Sequence, residues 1–105
     1  MALIASTSTP LGGNATYTSP VFPTAAFSYL SGSVFADQAG TIYIEQSGDG
    51  THWDLSTNYA VSASDGSGFK EEVILPWGRI RFVNGAAAQG TFRLFTQVQP
   101  DGNRF

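Results

Sequence analysis

Cysteine is absent from the 105 residues, which excludes disulfides and thiolate metal sites. Charge is scarce: Asp, Glu, Lys and Arg make up 12% of the chain, roughly half the usual share. Ser, Thr, Asn, Gln, Gly and backbone must therefore cover most of the surface. Five Lys and Arg against eight Asp and Glu give a net charge of −3. Nucleic-acid binding needs a basic stripe that releases counterions from phosphates, and scattered cations do not supply one. No apolar run approaches the roughly 20 residues that span a bilayer, so no membrane partner is expected. The stretch from Met1 to Ser8 lacks a basic region and a full apolar core, so no secretion signal is expected in it. Amphipathic helical periodicity is missing throughout.

What is present is a series of short apolar or alternating runs broken by turn residues. Residues 1–13 are small and hydroxyl-rich and read as a flexible N-terminal arm. Residues 14–99 carry the runs, and 100–105 read as a C-terminal tail. The first run, Ala15 to Ser19, is stopped by Pro20 and Pro23, which cannot donate to a ladder and place it at a sheet edge or crossing. In the second, Leu30, Val34 and Ala36 share one face. In the third, Ile42 and Ile44 oppose Tyr43 and Glu45. The connector Asp37-Gln38-Ala39-Gly40 is short, which predicts an antiparallel hairpin between these two runs. Phe69 begins a later run near Lys70, Glu71 and Glu72. Ile80 and Phe82 then alternate with Arg79 and Arg81, and Phe92, Leu94 and Thr96 with Arg93, Phe95 and Gln97. About seven or eight such strands predict an all-β, single-domain, jelly-roll-like β-sandwich of antiparallel strands.

Two strings are distinctive. Ser47-Gly48-Asp49-Gly50-Thr51-His52-Trp53-Asp54 follows the run Thr41 to Gln46, and Arg79-Ile80-Arg81-Phe82 follows Pro76-Trp77-Gly78. The pair Ser47-x-Asp49-Gly50-x-x-Trp53 and Arg79-Ile80-Arg81-Phe82 is similar to discoidin-like, galactose-binding-type jelly rolls, and implies that fold without a transferable sugar site. Over residues 14–98 the chain resembles small structural proteins of tailed bacteriophages. The strings that carry this are Tyr17 to Phe22, Gly32 to Ser47, Asp49-Gly50, Trp53-Asp54 and Arg79 to Gly85. That resemblance implies a virion component assembled in the host bacterial cytoplasm.

The candidates for chemistry are few. Ser47, Asp49 and Asp54 cluster oxygen atoms but lack the calcium-loop spacing. They read as a turn in which Asp49-Gly50 favours positive φ, Asp side chains cap local amides and Trp53 plugs the sandwich end. His52 is the one histidine, and without a nucleophile elbow or an orienting partner on another element it reads as a surface residue. Glu71 and Glu72 are adjacent on a strand, point to opposite faces and cannot flank one glycosidic bond. Neither a catalytic residue, a metal site nor a cofactor is expected.

The interface candidates are Arg79, Arg81, Arg93, Tyr43 and Phe95. If the strands bearing Arg79, Arg81 and Arg93 pair, their guanidinium groups form one basic patch for acidic neighbours. The alternative is pairing with Glu45, Glu71 or Glu72 inside the fold. Tyr43, Phe95, Phe35 and Tyr29 lie opposite the core residues and mark an interface, or else a second cluster under the first 27 residues. The functional expectation is a non-enzymatic capsid decoration protein on the virion surface. Its partners would be the major capsid protein and copies of itself, as a homo-oligomer and most simply a trimer. The alternative is a carbohydrate-binding module with Trp53 and Trp77 as glycan-stacking residues.

Overall fold

A computed structural model describes the backbone of residues 2–100 and the side chains of residues 6–98. Nine strands run along the chain: β1 (Ala2–Thr7), β2 (Thr16–Thr18), β3 (Phe22–Pro23), β4 (Phe27–Ala36), β5 (Gly40–Ser47), β6 (Leu55–Val61), β7 (Ser67–Glu72), β8 (Trp77–Asn84) and β9 (Phe92–Pro100). They form two antiparallel sheets, one ordered β1-β9-β4-β7 and the other β2-β8-β5-β6, with β3 also pairing with β8. The jelly-roll-like sandwich expected from the alternation is present.

Period-two patterning decides which side chains meet. Leu30, Val34 and Ala36 of β4 and Phe92, Leu94 and Val98 of β9 are buried on one layer, against Ile42, Ile44, Ile80 and Phe82 of β5 and β8 on the other. Phe82 and Phe92 touch across the layers with ring centroids 4.9 Å apart. Fully burying each aliphatic or aromatic side chain is worth roughly 1.5–3 kcal/mol, so this facing set holds the layers together. Phe69 of β7 pairs in register with Gly32, and its ring covers the space that a side chain at position 32 would need.

Three expectations change. β4 and β5 do not form a hairpin: they lie in different sheets, and residues 37–39 arch between them. Both runs bury a complete apolar face, and facing each other across the core satisfies both at once. Asp37 secures the arch by accepting from the Gly90 amide at 3.0 Å, and the Gly85 amide donates to the Ala39 carbonyl at 3.1 Å. Second, much of the expected N-terminal arm is ordered. β1 pairs with β9 from Ala2↔Val98 to Thr7↔Leu94, because the outer edge of β9 offers backbone donors and acceptors to any extended segment. Farther on, Leu11 and Gln89 exchange hydrogen bonds of 2.8 Å. Third, β9 pairs with β1 and β4, not with β8, so no single patch unites Arg79, Arg81 and Arg93. Of the expected tail, residues 101–105 lie outside the described residues.

Two buried amides hold the loops. Gln46 continues the inward face of β5 after Ile44. Its Oε1 accepts from the Ile74 and Leu75 amides at 2.8 and 3.0 Å, and its Nε2 donates to the Glu72 carbonyl at 2.9 Å. Asn84 ends the inward face of β8, and its Nδ2 donates to the Gly12 and Ala87 carbonyls at 2.8 and 2.9 Å.

Candidate functional site

The outer face of the β2-β8-β5-β6 sheet carries a compact ladder of paired side chains. Alternation turns Tyr43 and Glu45 of β5 and Arg79 and Arg81 of β8 outward, and the register sets Glu45 opposite Arg79 and Tyr43 opposite Arg81. Arg79 Nε lies 2.7 Å from Glu45 Oε1, and Arg81 Nη2 lies 3.2 Å from Glu45 Oε2. The two guanidinium groups cover the carboxylate so well that Glu45 is 5% exposed on a face that otherwise meets solvent. Burial alone would raise the Glu45 carboxyl, but the hydrogen bonds and charges of Arg81 and Arg79 outweigh it and hold it below the ordinary 4.5.

Aromatic rings flank the ion pairs. The Arg79 guanidinium lies 4.4 Å from the Trp53 ring centroid, and that of Arg81 lies 4.4 Å from the Tyr43 ring. Trp53 therefore lies along the outer face and does not plug the end of the sandwich. Each of the five side chains therefore has a partner within the fold. Pairing of Arg79 and Arg81 with Glu45 inside the fold was one of the two readings of these arginines.

The other outer face holds Arg93 and Phe95. Arg93 stacks on Phe35 at 4.6 Å, and Lys70 on Tyr29 at 4.2 Å. Phe95 is 39% exposed. Between these side chains runs an open groove of about 590 Å³, lined by Ser31, Ser33, Gly68, Lys70, Phe95 and Gln97. The five interface candidates are thus divided between two opposite faces.

The Ser47–Trp53 loop is a built turn. Ser47 Oγ accepts from the Gly50 amide at 2.8 Å, and Asp49 Oδ1 accepts from the Thr51 and His52 amides, both at 2.8 Å. Gly50 has φ of 81°, the left-handed region in which a glycine carries no Cβ penalty. His52 Nδ1 lies 2.7 Å from Asp49 Oδ2. The backbone and side-chain hydrogen bonds of His52 hold the Asp49 carboxyl well below the usual carboxylate range, and Asp49 in turn raises His52 above 6.5. The Asp49 oxygens are engaged by the loop's own amides and imidazole. Among the described residues no group of three or more His, Cys, Asp or Glu side chains gathers as a metal site. Trp77 is half-exposed, next to Gly50.

Glu71 and Glu72 fall on opposite faces, as alternation requires. Glu71 accepts a hydrogen bond from the Tyr59 hydroxyl of β6, which ties the two sheets together along one side. Glu72 lies opposite Tyr29. Sequence reasoning missed Gln46 and Asn84, although each was marked as a polar residue at the next inward position after two buried apolar ones.

Among solved structures, the PBSX exported protein XepA superposes with a TM-score of 0.87 at 23% identity, over 99% of this chain and 38% of that one. A structure described as CBM4 structure and function superposes with a TM-score of 0.50 at 16% identity, over 82% of this chain and 61% of that one. At these identities the likeness concerns the fold. The chain spans little more than a third of the XepA chain it matches. No curated protein sequence matches it. The family described as the uncharacterised protein YqxG N-terminal domain matches residues 2–99, and the chain belongs to that family.

Proposed function

We propose that this is a non-enzymatic structural protein of a bacteriophage particle, and specifically a capsid decoration protein held by the major capsid protein and by copies of itself. The observation that carries the reading is the Trp53–Arg79–Glu45–Arg81–Tyr43 ladder. Aromatic and arginine side chains are the residues enriched where proteins meet, and here they are already paired within the fold, which lowers the ordering cost of association. Arginine has five N–H donors, so Glu45 leaves others on each guanidinium for a partner. The phage-like strings at residues 17–22, 32–47 and 79–85 support the setting, and the name of XepA, an exported protein, accords with a place outside the cell.

The mechanism is passive. Many copies pack on a symmetric shell, and weak contacts repeated over it add through avidity. The test is to compare particles with and without the protein. Loss of resistance to heat or low salt is the expected result, and unchanged particles overturn the reading. Arg81→Ala should release the protein from particles while leaving it folded.

A carbohydrate-binding reading has one specific support, the groove beside Phe95, Gln97 and Lys70. An aromatic ring beside hydrogen-bonding side chains suits a sugar ring. The Trp53 ring is already stacked on Arg79, so the groove and Trp77 are the better glycan contacts. A glycan array with wild type, Phe95→Ala, Trp53→Ala and Trp77→Ala decides it. No binding by the wild type removes this reading.

A further inference from the structure

Lys70, Arg79, Arg81 and Arg93 are the cationic side chains among the described residues. Arg79 and Arg81 share the Glu45 carboxylate. Lys70 and Arg93 are in no ion pair among the described residues. Both lie on the outer face of the β1-β9-β4-β7 sheet, one over the Tyr29 ring and the other over the Phe35 ring. A ring face attracts a cation without cancelling its charge, so both remain open to an anion.

The two cations bracket one trough. Lys70 lines the groove of about 590 Å³. Past Ser33, Gly68 and Phe95 that groove runs into a second hollow of about 410 Å³, lined by Phe35 and Arg93. No carboxylate among the described residues lines either part, and Glu72 lies one row farther out, opposite Tyr29. Lys70 pairs with Ser31 and Arg93 with Phe35. That is four residues along β4 and two strand spacings across it, which sets their Cα atoms on the order of 16 Å apart. The floor between them carries short hydroxyl side chains, and Gln97 Nε2 donates to Ser31 Oγ across it at 3.5 Å. The half-exposed Phe95 ring stands beside the floor.

We propose that this trough binds an acidic polysaccharide whose sugar units carry carboxylates, an inference that rests on the carbohydrate reading of the groove and adds charge to it. Phe95 and Arg93 are two positions apart on β9, about 7 Å, so one uronate unit lays its ring on Phe95 and turns its carboxylate to Arg93. The guanidinium fork matches a planar carboxylate. A unit farther along the polymer reaches Lys70, and the sugar hydroxyls meet Ser31, Ser33 and Gln97 on the floor. A nucleic acid is a poor occupant, because two cations release few counterions against a net charge of −3. An acidic peptide would seek backbone partners, and those of β4 are engaged by β7 and β9. A flat bilayer surface does not reach a floor that lies between side-chain walls.

The experiment is isothermal titration calorimetry of the full chain with polygalacturonate and alginate oligosaccharides and with their methyl esters. An acid form should bind. Its ester keeps every ring and hydroxyl but not the charge, and should bind roughly tenfold more weakly or not at all. Arg93→Gln and Lys70→Gln should each weaken the acid form by a similar factor, and the double variant should abolish binding. Thr16→Glu lowers the net charge by the same unit on the other sheet and should leave binding unchanged. Circular dichroism checks that each variant is folded. Equal binding of acid and ester, lost in Phe95→Ala, overturns the charge and leaves the carbohydrate reading standing. No binding of either acid overturns the proposal, and the neutral glycans of the array then decide the carbohydrate reading by themselves. Binding that the double variant retains, or binding of poly(glycerol phosphate) or polyglutamate in place of the polyuronates, also overturns it.

Discussion

Glu45 and Arg79 sit directly opposite each other on β5 and β8, with Arg79 Nε 2.7 Å from Glu45 Oε1, and Arg81 closes on the same carboxylate from the next outward position of β8. One carboxylate is shared by two guanidinium groups, which leaves the trio with a net positive charge, and the carboxylate is itself nearly hidden from water. Breaking such a group leaves a desolvated charge without its partner, which is why the loss of one member costs more than the pair contributes.

Glu45→Gln should therefore destabilise the fold by about 1–3 kcal/mol, discounted from fully buried pairs because the arginines stay partly exposed. The sign with pH follows from the direction of the shift. The carboxyl is held below 4.5 in the folded protein, so its contribution is present above that value and is lost as pH falls through the folded pKa. Urea unfolding of wild type and Glu45→Gln as a function of pH measures this. The difference between the two should shrink on acidification below about pH 4.5.

Asn84 binds residues 11–12 to the loop after β8 through its Nδ2 group. Asn84→Ala should cost about 1–2 kcal/mol, since it removes the hydrogen bonds that the buried amide makes to the Gly12 and Ala87 carbonyls. Asn84→Asp keeps the shape but turns a carboxylate oxygen toward the carbonyls of Gly12 and Ala87, so it should be worse at neutral pH and partly recover on acidification. Thermal melts of both variants at two pH values test the order.

Gly32→Ala should lower stability by about 1–3 kcal/mol or more. An added methyl group would collide with the Phe95 carbonyl oxygen and come within 2.7 Å of Phe69 Cζ. The carbonyl belongs to a neighbouring strand and cannot swing away. The double variant with Phe69→Ala relieves the ring contact alone, so it should not restore stability. Chemical unfolding of the three proteins checks this.

The His52 imidazole should titrate above 6.5, because the hydrogen bond to the Asp49 carboxylate and its negative charge favour the protonated ring. Asp49→Asn should return it to the ordinary range. Both groups are exposed, so global stability should hardly move. Proton NMR of the lone histidine reads the midpoint directly.

How much was legible from the residues follows from what alternation can and cannot encode. The parity of Ile80, Phe82, Arg79 and Arg81 assigned inward and outward faces correctly, and so did that of Phe92, Leu94, Arg93 and Phe95. Prolines 20 and 23 placed their segment at a sheet edge or crossing, and it lies at an edge. Alternation is silent on which sheet a strand joins. A turn of a few residues closes a hairpin or an arch equally well, so β4 and β5 were paired in expectation and face each other in fact. The same silence joined Arg93 to Arg79 and Arg81. β1 was missed because Leu3 and Ile4 stand side by side and do not alternate with polar residues, and its pairing comes from the edge of β9.

The pairing of β1 with β9 has an architectural consequence. Ala2 lies opposite Val98, so the polypeptide returns to the pole of the sandwich where it set out. In a longer protein such a domain hangs like a bead whose thread enters and leaves at one pole. The arch at 37–39 and the turns at 62–66 and 85–90 crown the other pole, the length of the strands away from that tether.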